Sequence, residues 1–118
     1  MTLTDEIDQV HARKRLPNRR AATSFDFEHN GARFVATYSR FADGAVGEIF
    51  ISTHKADSHL NGCVRDLGVA ASLALQFGCS LDTLRRALLR NADASAATAL
   101  GAALDIISGR GDEDHRCR

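Results

Sequence analysis

The stretch His54-Lys55-Ala56-Asp57-Ser58-His59, followed by Cys63, concentrates more reactive side chains than any other part of the chain. Imidazole nitrogen, carboxylate oxygen and thiolate sulfur are all zinc ligands, which makes His54, His59 and Cys63, with Asp57 as the oxygen donor, the candidates for a metal. Their spacing matches none of the paired zinc patterns and no second cluster accompanies them, so neither a metal nor another cofactor is expected. A second chemistry is anion binding. The free N–H groups at the start of a helix attract phosphate, and Lys55 adds a positive charge. His54, Lys55, Asp57 and Ser58 are the candidate ligand-binding residues on this reading, with Glu48 placed nearby. Neither glycine-rich phosphate-loop pattern occurs. The plainer alternative is that Asp57 or Ser58 caps the helix and the histidines are solvated.

Nucleophilic catalysis has less to draw on. Cys63 and His59 are one helical turn apart, but no third group orients them and no oxyanion signature follows. The neighbours of Cys63 predict burial, where a thiol behaves as a small hydrophobe. Cys79 reads as a packing residue and Cys117 as a tail thiol. Asp26 and Glu28 share the solvent side of one strand. No catalytic residue is assigned, and the chain is not expected to be an enzyme.

The remaining candidates are cations. Arg13, Lys14, Arg15, Arg19 and Arg20 crowd the region before residue 21. Such a run suits contact with a partner protein or with phosphates of a nucleic acid. No stacking aromatics interleave it, which disfavours nucleic acid. Over all 118 residues, 15 Lys+Arg balance 15 Asp+Glu, so no bulk field draws a polyanion or a membrane. The most apolar run, Val69 to Leu75, is far short of the roughly 20 residues a membrane span needs. No secretory signal is recognisable, and three scattered cysteines do not suggest a disulfide framework. A cytoplasmic, bacterial-type protein is the expectation.

The elements that must hold these residues follow from periodicity. Phe25, Phe27 and His29 alternate with Asp26 and Glu28, a strand pattern. Asn30-Gly31 is a strong hairpin signal; Arg33 to Phe41 reads as the return strand, Asp43-Gly44 as a second turn, and Val46 to Thr53 as a third strand. Leu60, Val64, Leu67, Ala71 and Leu75 recur at helical spacing, and Val69, Leu73 and Phe77 form a second stripe, predicting a buried central helix that ends at Gly78. Ser80 caps a further helix, and Ala97 to Ile107 forms the last. The fold class is α+β: a three-stranded antiparallel meander followed by three helices packed on one sheet face. The organisation is a mobile basic arm over 1–22, a domain over 23–108 and a polar tail over 109–118. Two open sheet edges would invite self-association.

Several short segments in order resemble a TSCPD-type domain. They are Arg15-Leu16-Pro17-Asn18-Arg19-Arg20, Phe25-Asp26-Phe27-Glu28-His29, Glu48-Ile49-Phe50-Ile51-Ser52 and His54-Lys55-Ala56. Arg65-Asp66, Ala71-Ser72-Leu73-Ala74-Leu75-Gln76 with Gly78, and Leu84-Arg85-Arg86-Ala87-Leu88 complete the match. Such domains end adenosylcobalamin-dependent ribonucleotide reductases and also occur as small stand-alone proteins. The string Thr-Ser-Cys-Pro-Asp itself is absent, Pro17 being the only proline. The resemblance implies a non-catalytic accessory or binding module related to ribonucleotide reductase, contacting a nucleotide or phosphate ligand or a reductase partner. The alternatives are a self-associating structural protein, a homo-oligomer, or a nucleic-acid-associated protein using the basic arm.

Overall fold

The computed structural model describes residues 12–54 and 58–110. Three strands, β1 (Thr23–His29), β2 (Ala32–Arg40) and β3 (Val46–Thr53), precede three helices, α1 (His59–Gln76), α2 (Leu81–Ala87) and α3 (Ala99–Gly109). The sheet is an antiparallel meander in the order β1-β2-β3. Asn30 and Gly31 both have positive φ, 51° and 83°, the geometry that closes a two-residue turn along the twist of its strands. The second connection is wider. Asp43 Oδ1 accepts the Ala45 N–H, Gly44 has φ 91°, and the ladder shifts register at Ser39 and Arg40.

The register gives the sheet two unlike faces. Phe25, Phe34, Ala36, Tyr38, Ile49 and Ile51 point inward and join Leu100, Ala103, Leu104 and Ile107 of α3 in one core. Tyr38, Ile49, Leu104 and Ile107 are its largest fully buried side chains. The other face carries Asp26, Val35, Thr37, Glu48, Phe50 and Ser52, as the strand alternation requires.

Helix α1 seals the free border of β3, and it does so with polar groups. The Ser72 hydroxyl accepts the Ile49 N–H and donates to the Ile49 carbonyl, both at 2.9 Å. Asn61 Oδ1 accepts the Thr53 N–H at 3.0 Å, and Gln76 Nε2 donates to the Gly47 carbonyl at 3.0 Å. Gly68 makes the approach possible: a Cβ there would lie 3.1 Å from the Ile49 oxygen. The expectation of two open edges is thereby corrected, because α1 occupies one of them.

The same geometry corrects the expected burial of α1. Val64, Ala71 and Leu75 are buried, but Leu60, Leu67, Val69 and Leu73 are exposed, and so is Cys63. A helix that meets a strand edge through Asn61, Gly68, Ser72 and Gln76 turns part of its apolar surface outward. Gly78, at φ 107°, follows its C-terminus, where a left-handed residue is least costly. Ser80 and Thr98 cap α2 and α3 through their hydroxyls. Asp105 of α3 then clamps the α2 end: Arg90 reaches both of its oxygens at 2.6 and 2.7 Å, and Arg85 adds a bond at 2.9 Å.

Candidate binding site at the strand–helix junction

The end of β3 and the start of α1 bring Thr53, His54 and Ser58 beside the first hairpin. With Gly31, Ala32, Arg33 and Leu60 they line a cavity of about 520 Å³. Ser58 is the N-cap of α1; its Oγ accepts the Asn61 N–H at 3.0 Å. That bond fixes where the helix begins, because the cap residue must leave helical geometry. His54 is exposed, and Arg33 reaches the same cavity from the other side of the hairpin. Arg33, His54 and the capped start of an 18-residue helix therefore border one space, at the end where the helix dipole is positive. Lys55 and Asp57 lie outside the described residues.

Other predicted residues go elsewhere. Glu48 is not at the junction: it lies near the opposite end of β3, on the outer sheet face, where Arg20 holds both of its oxygens. The Glu48 side chain is only 7% exposed, so its charge is stabilised by that bidentate guanidinium. Arg13 donates to Gln76 Oε1 at 2.6 Å, and the Lys14 backbone N–H donates to the Gln76 carbonyl at 2.8 Å. The Lys14 ammonium meets Asp43 at 2.9 Å and lies over the Phe41 ring. Residues 12–20 thus run past the C-terminal end of α1 and onto the outer face. Arg15 and Arg19 are exposed within this stretch.

His59 and Cys63 do meet. Cys63 Sγ lies 3.4 Å from His59 Nε2 on the exposed side of the first turns of α1. His54 does not join them in a metal-sized group: no cluster of three His, Cys, Asp or Glu forms among the described residues. Cys79 is partly buried and Cys117 lies outside the described residues.

The sequence reading missed two features. Arg33 belongs to the junction only through the hairpin register, which pairs it with Glu28. A second cavity, of about 790 Å³, lies between the outer sheet face and α1, lined by Val35, Thr37, Phe50, Gly62, Arg65, Asp66 and Val69 among others. Its walls mix apolar Val35, Phe50 and Val69 with the hydroxyls of Thr37 and Ser52 and the opposite charges of Arg65 and Asp66. The signal for it was present in Phe50, an aromatic on the solvent side of its strand.

Comparison with known proteins supplies the context. Over 80 residues the chain is 31% identical to the vitamin B12-dependent ribonucleotide reductase of Bradyrhizobium diazoefficiens, covering 68% of this chain and 6% of that one. Its counterpart from Streptomyces coelicolor is 32% identical over 82 residues, 70% of this chain and 8% of the reductase. That of Streptomyces avermitilis is 35% identical over 86 residues, 70% and 9%. The chain is similar to one small part of a vitamin B12-dependent ribonucleotide reductase. It spans less than a tenth of the length of these three reductases. No family model matches the chain, and no solved structure does. Among the described residues, no helix is long and apolar enough to cross a membrane.

Proposed function

We propose that this chain is a non-catalytic accessory module of the TSCPD type that works beside a B12-dependent ribonucleotide reductase in the cytoplasm. The observation that carries the proposal is the extent of the similarity: 68–70% of the chain matches, yet it corresponds to less than a tenth of each reductase. The module's ligand is a nucleotide or another phosphate-bearing molecule held at the strand–helix junction. Arg33, His54 and the N-terminus of α1 supply the charge, with Ser58 setting the helix start and Lys55 and Asp57 preceding it in the sequence.

Titration calorimetry of the full chain with nucleoside triphosphates tests the ligand. Binding that weakens at least about tenfold in Arg33→Ala and in Lys55→Ala supports it, a loss of about 1.4 kcal/mol for each charge. Unchanged affinity removes that residue from the site. Capture of the reductase from the native host by the tagged chain tests the partner independently.

Self-association is the second reading, favoured by the exposed Leu60, Leu67, Val69 and Leu73 of α1. The nucleic-acid reading draws less support, since Arg13, Lys14 and Arg20 already bond to Gln76, Asp43 and Glu48.

A further inference from the structure

We infer that His59 and Cys63 form one half of a divalent-metal site of the zinc class, completed by the same pair from a second copy of the chain. The geometry carries it. A tetrahedral zinc with Zn–S near 2.3 Å and Zn–N near 2.0–2.1 Å sets its sulfur and nitrogen ligands about 3.5 Å apart. Cys63 Sγ and His59 Nε2 are 3.4 Å apart. One ion therefore spans the pair with little movement of either side chain. The four-residue spacing along α1 points both side chains to the same side of the helix, and both residues are exposed.

Two ligands do not fill a tetrahedral shell, and among the described residues no third His, Cys, Asp or Glu joins them. A second copy offers the missing two in the same geometry, related by a two-fold axis through the metal. Two histidines and two cysteines make a standard closed structural set. Charge balances as well: each Cys63 thiol releases its proton to solvent, and the two thiolates neutralise the dication. The surroundings suit such a contact. Leu60 and Leu67 flank the pair on α1 and are 45% and 43% exposed, so apposing two helices there removes apolar surface from water.

Sedimentation of the full chain with zinc chloride or with EDTA, together with metal analysis, tests the inference. The expected result is a doubling of mass with zinc, one metal per two chains, and return to a single chain in EDTA. With cobalt in place of zinc, a thiolate-to-cobalt absorption band is expected. The band and the doubling are lost in Cys63→Ser and in His59→Ala, and retained in Cys79→Ser and Cys117→Ser. Circular dichroism verifies that these substitutions leave the fold intact. A single-chain mass at saturating zinc overturns the inference, as does one metal per chain. So does metal binding that survives in Cys63→Ser.

Discussion

The hydroxyl of Ser72 bonds both backbone groups of Ile49, taking the place of the strand that would otherwise lie beside β3. One side-chain oxygen on a helix thus completes a ladder position. The exchange works because Ser carries both a donor and lone pairs, and because Gly68, one turn earlier, lets the two backbones close.

Ser72→Ala removes both bonds inside a buried contact and strands an N–H and a carbonyl. A loss of about 1–3 kcal/mol is expected for unsatisfied buried groups, measured by urea unfolding. Gly68→Ala is expected to destabilise by a similar 1–3 kcal/mol through overpacking, since its Cβ would press on the Ile49 carbonyl. Together the two substitutions should not add, because both loosen the same contact.

Arg20→Ala leaves the Glu48 carboxylate, 7% exposed, without its cation. Removing one partner of a largely buried pair destabilises the fold and the exposure of Arg20 moderates the loss, so a lower urea midpoint than in the parent chain is expected. Arg20→Lys should recover only part of this, because an ammonium does not reproduce the two-point contact. Protease susceptibility of residues 12–22 should rise in Arg20→Ala if the pair is what fastens this stretch.

Asp105 gives the fold a pH dependence. The Arg90 guanidinium, with Arg85 beside it, holds the Asp105 carboxyl below the usual carboxylate range. Asp43 and Asp93 are lowered too, the first chiefly by the Ala45 N–H and the second by Ser95. A folded-state value below the unfolded one means stabilisation that is complete above about pH 4 and lost as pH falls through the folded value. Urea midpoints measured from about pH 6 down to about pH 2 should fall less steeply in Asp105→Asn than in the parent chain.

The outward face of α1 should tolerate change that its inward face does not. Val69→Ser is expected to shift stability by less than about 0.5 kcal/mol, as an exposed position does. Leu75→Ala, one of the buried positions, should cost about 2–5 kcal/mol. Equal effects from the two would show that α1 is seated differently.

The sheet was readable in the sequence because its information is local. Alternation at Phe25 and Phe27 and the Asn30-Gly31 turn each depend on a few neighbouring residues. The caps Ser58 and Ser80 are likewise local signals, whereas the last helix, expected from Ala97, begins only after its Thr98 cap. What α1 touches was not readable. Its contact with β3 runs through Asn61, Gly68, Ser72 and Gln76, which hydrophobic periodicity counts as the solvent side. That misassignment also placed Cys63 inside, whereas it lies outside with His59. At the junction His54 and Ser58 were within reach of sequence, being only four positions apart along the chain. Arg33 was not, because only the strand register carries it there.

The Ser72, Asn61 and Gln76 bonds also give the sheet a direction of growth. A strand from another molecule cannot join at β3 without unseating α1, whereas β1 has no strand on its far side among the described residues. A sheet with one stopped end accepts one neighbour. Two copies joined β1 to β1 would present only stopped ends, so strand pairing between copies terminates at the pair and cannot propagate into a fibre.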